Sequence, residues 1–323
     1  MKGGQADFLD IWLTPLAHLM MRPQVCDIHV NRPGIAWVET VCGESEKHEI
    51  PELDEAALGR LARQVAARSH QGISRAHPLL AASLPDGSRI QIIAPPATRE
   101  GMAMSIRRHV VRDLSLTELV GSAVSPRSVA SPPVALPQGE DNMARWLARL
   151  VHERRNVLIS GGTASGKTTL LNALLREIPP RERLIVIEDT PELVLPLPNA
   201  LGLIARRSEL GEASVDAEAL VQASLRMRPD RIIMGELRGA ETLAWLRAVN
   251  TGHPGSLATV HASSAQTAVG QLALIAMQAG SRWSRSELLD YLTSVIDVVV
   301  QVERSEGQSR IAGICIPAKD LPG

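Results

Sequence analysis

Apolar positions change period several times along this chain, and each change marks an element. In residues 8–21, Phe8, Leu9, Ile11, Trp12, Leu16, Leu19 and Met20 recur at helical spacing around Pro15, predicting a helix laid on a core or on a neighbouring subunit. Two β-rich runs, 26–30 and 35–41, flank Asn31-Arg32-Pro33-Gly34 and read as a hairpin. Asp54 stands where it would cap a helix running to about Ser69, with Leu58, Leu61 and Val65 on one face. Strands follow at 79–84, 90–93 and 102–108, separated by the turn Pro85-Asp86-Gly87-Ser88 and by Pro95-Pro96. This mixture predicts an α/β N-terminal domain over residues 1–120. Residues 121–141 read as a linker, because 121–138 gather Pro126, Pro132, Pro133 and Pro137 among serines.

Beyond the linker the pattern becomes an alternation. Met143, Trp146, Leu147 and Leu150 share one helical side, and Val157-Leu158-Ile159-Ser160 is a short buried strand. Further strands are expected at 184–187, 231–234 and 256–260. Helices are expected at 216–227, 240–251, between 264 and 280, and at 285–294, the last opening on a Ser284/Glu287 capping box. Residues 297–303 and 310–316, across Gly307, read as a closing hairpin on the sheet edge. Alternation of this kind predicts a largely parallel sheet with helices on both faces over residues 142–323.

Composition narrows the function classes. With 323 residues the chain can bury two cores, and its 45% hydrophobic and 21% charged residues are those of a globular protein. A net charge of −1 gives no global pull toward nucleic acid, and one Phe and one Tyr supply no base-stacking platform, so no specific nucleic-acid binding is expected. Cys26, Cys42 and Cys315 are too few and too far apart for a disulfide framework or a zinc site. Asp7 and Asp10 interrupt the first apolar stretch, unlike a secretory signal, and no run reaches the roughly 18 apolar residues of a membrane span. A cytoplasmic protein is expected, with peripheral attachment to a membrane left open.

The chemistry is concentrated after the 157–160 strand. Gly161-Gly162-Thr163-Ala164-Ser165-Gly166-Lys167-Thr168 is a phosphate-binding loop opening a helix, continued by Thr169. Its glycines let backbone N–H groups converge on phosphate oxygens at the positive end of that helix. Lys167 is expected to reach the β and γ phosphates of ATP, and Thr168 to offer its hydroxyl to Mg²⁺. The next strand ends in Glu188-Asp189-Thr190-Pro191-Glu192, and Ile232-Ile233-Met234-Gly235 delivers Glu236 to the same edge, where open parallel sheets bind ligands. Gly235 stands where many phosphate-loop enzymes place a metal-holding Asp, which shifts metal duty to Glu188 through water and leaves Glu236 to orient or deprotonate the attacking water. Asp189, Glu192, Arg238 and His253 are candidate supports. His253 and His261 bracket the 256–260 strand, and His261, directly after it, is placed to sense the γ phosphate.

Taken together, these boxes resemble the secretion ATPase family, the hexameric motors of type IV secretion, conjugation, type II secretion and type IV pili. The resemblance rests on the phosphate loop, on Ile187-Glu188-Asp189-Thr190-Pro191-Glu192-Leu193, on Gly235-Glu236-Leu237-Arg238, and on the histidine box from Thr251-Gly252-His253 to His261-Ala262. It extends into the N-terminal domain through Asp27-Ile28-His29-Val30-Asn31, Leu84-Pro85-Asp86-Gly87-Ser88-Arg89 and Ser105-Ile106-Arg107-Arg108. It implies a RecA-like P-loop NTPase fold for the C-terminal domain. It also implies Arg89 and Arg107 as N-domain arginines reaching over the nucleotide. The wording is most similar to TrbB-type conjugative-transfer ATPases and their type IV secretion relatives. Such a motor works as a homohexamer, partnered by membrane-embedded secretion or conjugation proteins at the bacterial inner membrane. Pilus assembly or retraction and type II secretion motors share every box. A RecA- or helicase-like DNA-dependent ATPase is the reading from another class.

Overall fold

The computed structural model describes residues 8–108, 134, 143–206, 215–305 and 308–320. Apart from Val134, the expected linker over 121–141 lies outside the described residues. The first unit is a six-stranded antiparallel sheet with two helices, α1 (Phe8–Met20) and α2 (Glu55–Arg68). Its strands are β1 (Val25–Arg32), β2 (Ile35–Thr40), β3 (Ser45–Glu49), β4 (Leu79–Ser83), β5 (Arg89–Ile93) and β6 (Ala103–Arg107), in the order β3-β2-β1-β6-β5-β4. Leu9, Leu13, Leu16 and Leu19 of α1 recur every three or four residues and are buried with Leu58, Leu61 and Val65 of α2. Asp54 caps α2 by accepting from the Ala57 N–H at 2.6 Å, a contact that typically contributes about 1 kcal/mol. The apolar pattern does not announce β3, because Ser45-Glu46-Lys47-His48-Glu49 carries no apolar residue. It forms as a charged edge strand paired to β2 through its backbone.

The second unit is a seven-stranded sheet built from β7 (Val157–Ser160), β8 (Leu184–Glu188), β9 (Ala200–Ile204), β10 (Arg231–Met234), β11 (Leu257–Val260), β12 (Val298–Ser305) and β13 (Gln308–Cys315). Its order is β13-β12-β7-β11-β10-β8-β9, parallel throughout except for the β12–β13 hairpin. Five central strands buried on both faces explain the continuous Val, Ile and Leu runs. One face is covered by α3 (Met143–His152) and α4 (Lys167–Arg176). The other is covered by α5 (Ala217–Ser224), α6 (Glu241–Asn250), α7 (Ala265–Gln278) and α8 (Arg285–Val295), while a short α9 (Pro317–Asp320) follows β13. The Ser284/Glu287 capping box forms, with the Ser284 N–H donating to Glu287 Oε2 at 2.8 Å.

The two units meet along β9, a strand the sequence pattern conceals because Pro196 and Pro198 precede it and Gly202 interrupts it. Residues 97–99 run antiparallel to it: Ile204 N–H donates to the Ala97 carbonyl at 2.9 Å, and Arg99 N–H to the Gly202 carbonyl at 3.2 Å. Ile93, Ala97 and Ala103 are buried in the same apolar cluster as Leu201 and Leu203. Where β8 and β9 begin, Arg183 donates to Asn31 Oδ1 at 2.8 Å and Asn199 Oδ1 at 2.6 Å, while Arg228 pairs with Asp27 and Glu39. Hydrogen bonds to buried charges are among the stronger ones, so this junction is fixed at both ends of β9.

Candidate active site

The cleft lies at the C-terminal edge of the parallel strands, where four elements deliver polar groups. After β7 the chain turns through Ala164 at φ 55° and Gly166 at φ 103°, both left-handed, and then enters α4. Gly166 is required twice over, because a Cβ there would also run into the Ser309 side chain of β13. Lys167 Nζ lies inside the loop, donating to the Gly161 carbonyl at 3.0 Å and the Gly162 carbonyl at 2.8 Å. Burial lowers its ammonium from the ordinary lysine value, and the charge of Glu236 opposes that shift. Residues 163–169 line a cleft of about 490 Å³, and Ser165 Oγ is buried without a hydrogen-bond partner among the described residues.

Two carboxylates enter from neighbouring strands. Glu188 closes β8 with its side chain only 4% exposed. Its Oε1 accepts from the Glu192 N–H at 3.1 Å and the Leu193 N–H at 2.8 Å, while its Oε2 pairs with Arg99. Glu236 follows β10 and is held by Arg238 Nη2 at 2.6 Å and His261 Nε2 at 3.1 Å. The Arg238 guanidinium is raised by its hydrogen bond to Glu236, and its other nitrogen lies 3.4 Å from Asp189. Thr259 of β11 donates to the Gly235 carbonyl at 2.7 Å, pinning the end of β10. Thr168 Oγ1 is 3.3 Å from Glu192 Oε2. The cleft therefore gathers the loop, Thr168, Thr169, Glu188, Asp189, Glu192, Glu236, Arg238 and His261, as expected from their positions at strand ends.

Three expected residues are elsewhere. His253 precedes β11 while His261 follows it, and a four-residue strand separates its ends by roughly 13 Å. Its Nδ1 meets the Pro229 carbonyl at 2.7 Å, and burial lowers the imidazole, so it is a neutral support of the far edge. Arg89 and Arg107 are exposed, face each other in the β5–β6 register, and do not line this cleft. Arg99 of the first unit instead reaches Glu188 and the Leu193 carbonyl, and its place in a loop between strands gives it no motif of its own. Arg304 and Ser309 also line the cleft, brought there by the β12–β13 hairpin.

The donor set fits a nucleotide carrying its own cation. Hydroxyl and carboxylate oxygens are the hard ligands that Mg²⁺ takes. Among the described residues no three His, Cys, Asp or Glu side chains gather as a metal cage.

A family model described as "Type II/IV secretion system protein" matches residues 14–307, through both units. The chain belongs to that family. This secretion ATPase is 36% identical to the type IV secretion system protein VirB11 of Bartonella quintana, covering 94% of this chain and 91% of the relative. It is 40% identical to the type IV secretion system protein PtlH homolog of Bordetella bronchiseptica, over 93% of this chain and 91% of that one. The crystal structure of the VirB11 ATPase from the Brucella suis type IV secretion system, in complex with sulphate, superposes with a TM-score of 0.85 at 32% identity. That match covers 97% of this chain and 95% of the Brucella protein. The superposition on the Brucella protein spans both units of the secretion ATPase. None of its described helices is long and apolar enough to cross a membrane.

Proposed function

We propose that this secretion ATPase hydrolyses ATP with Mg²⁺ as a homohexameric ring at the cytoplasmic side of a bacterial inner membrane, driving a type IV secretion or conjugative-transfer machine whose membrane proteins are its partners. The observation that carries this reading is the convergence of the phosphate loop, Glu188, Glu236 and His261 on one cleft. The family match through both units favours it over a DNA-processing ATPase, since shared core folds alone do not specify function. In this reading the domains span 1–120 and 142–323, joined by 121–141.

The geometry supports a role for each residue in this reading. Backbone N–H groups of the loop and the start of α4 receive the phosphates, and Lys167, released from the Gly161 and Gly162 carbonyls, turns to the β and γ oxygens. Thr168 would hold Mg²⁺ directly and Glu188 through water; when bound, the ion neutralises charge that builds on the transferring phosphate. Glu236, held between Arg238 and His261, orients the attacking water and accepts its proton. His261 can then report the γ phosphate to Glu236 through their hydrogen bond.

Phosphate release from ATP by the purified chain, with Mg²⁺ and with a chelator, tests the activity, and light scattering with nucleotide tests the ring. Absence of Mg²⁺-dependent release overturns the enzyme reading. A monomer hydrolysing at full rate at micromolar concentration overturns the ring.

A further inference from the structure

The contact between Arg99 and Glu188 joins the first domain to the cleft of the second. Arg99 leaves the segment between β5 and β6 that is hydrogen-bonded to β9, so its backbone is fixed on the sheet edge. Its side chain passes over Gly202, where an added Cβ would collide with the Arg99 side chain. Nη1 then donates to the Leu193 carbonyl at 2.8 Å, and Nη2 reaches Glu188 Oε2. Glu188 is buried, its side chain 4% exposed, and Arg99 is partly buried at 14%. On the far side of Glu188, the chain of β10 makes room at Gly235, where a Cβ would lie 2.9 Å from Glu188 Cγ. Two glycines, Gly202 within β9 and Gly235 directly after β10, thus leave room in series, one for the arginine and one for the carboxylate it holds.

We infer that Arg99 is a positioning residue through which the seating of the first domain on β9 controls the orientation of Glu188, and hence turnover. The inference rests on the reading that Glu188 takes part in hydrolysis. Glu188 Oε1 is held by the Glu192 and Leu193 N–H groups of its own loop, so only Oε2 is steered from outside the domain. A buried carboxylate with one oxygen fixed and the other released can rotate about its terminal torsion. Misplacing an acting group by about 1 Å costs on the order of a hundredfold in rate. Lifting the first domain from β9 would withdraw Arg99 and release that oxygen, whereas the side-chain partners of Arg99 among the described residues are Leu193 and Glu188, outside the phosphate loop, so nucleotide affinity should persist.

The test compares Arg99→Met, Arg99→Lys, Glu188→Gln and the double variant Arg99→Met/Glu188→Gln in the full chain. Turnover is read by phosphate release, and affinity by titration with a fluorescent ATP analogue. We expect Arg99→Met to lower kcat by on the order of tenfold to a hundredfold, with the dissociation constant unchanged within about threefold and Arg99→Lys recovering part of the loss. The double variant should be no slower than Glu188→Gln alone, because both changes act through one carboxylate. Gly202→Ala, which displaces Arg99 without altering any charge, should reproduce the kcat loss, and it serves where Arg99→Met does not fold. Unchanged kcat in folded Arg99→Met or Gly202→Ala overturns the inference, as does an additive double variant. Full turnover in Glu188→Gln overturns instead the reading on which it rests.

Discussion

A Cβ on Gly235 would stand 2.9 Å from Cγ and 3.5 Å from Cα of Glu188, so the position directly after β10 gives up a side chain in order to seat the carboxylate of β8. The two strands are adjacent and in register, Met234 beside Ile187, so the position after Met234 faces the position after Ile187. The glycine that stands in place of a metal-holding Asp is therefore a spatial requirement of Glu188. Gly235→Ala should destabilise the fold by about 1–3 kcal/mol through overpacking and should lower turnover at least about tenfold by displacing Glu188. Thermal melts and phosphate release check both, and wild-type turnover in a folded Gly235→Ala protein would refute the account.

Lys167 and Glu236 should separate binding from chemistry. Lys167→Ala removes a cation placed to meet phosphate in the ground state, and is expected to weaken ATP binding and abolish hydrolysis. Glu236→Gln keeps the shape and loses the base, so binding should persist while kcat falls on the order of a hundredfold to ten-thousandfold. Fluorescent-analogue titration beside phosphate release distinguishes them. Near-normal turnover in Glu236→Gln would move the base to Glu188.

Much of this site is legible in the chain because its chemistry sits at the ends of apolar runs. Val157 to Ser160, Ile185 to Ile187 and Ile232 to Met234 are buried strands, so the polar residues after them must emerge on one edge. Two caps are equally readable, since Asp54 and Ser284 each accept a hydrogen bond from a first-turn N–H. What stayed hidden depends on contacts between distant segments. β3 has no apolar member, and β9 is masked by Pro198 and Gly202, so neither has a periodic signature. Arg99 looks like any loop arginine until β9 places it against Glu188. His253 shows the converse, since a motif listed it beside His261 although a strand length separates them.

Stability should fall in mild acid because of His29. Its ring is fully buried, with Nδ1 2.8 Å from Ser105 Oγ and Nε2 4.0 Å from Glu39. Burial first, then Arg183 and Arg228, hold it well below the usual 6.5. The unfolded chain therefore binds the proton first: stability is full above about pH 6.5 and declines as pH falls toward the folded value, by up to about 1.4 kcal/mol per pH unit. Asp27 and Glu39 are raised by burial and act with the opposite sign, so the comparison is made with His29→Gln. Urea midpoints from pH 7.5 to 5.5 should fall more steeply in the wild type than in His29→Gln; parallel slopes would remove His29 as the cause.

The outward placement of Arg107 makes a prediction about the ring. Arg107 and Arg89 lie side by side on β6 and β5, exposed and away from the cleft of their own chain. An arginine that stabilises the transferring phosphate must reach one, so in a head-to-tail ring its target is the nucleotide of a neighbour. Arg107→Ala should then lower turnover by on the order of a thousandfold while leaving ATP affinity nearly unchanged. Lys167→Ala is expected to be inactive for a different reason and keeps its arginine. Rings assembled from equal amounts of the two variants should regain activity at about a quarter of their interfaces, those where an intact Arg107 faces an intact phosphate loop. Each variant alone supplies no such interface. A mixture no more active than the sum of its parts, with co-assembly verified by light scattering, would place the arginine's action within one chain or outside catalysis.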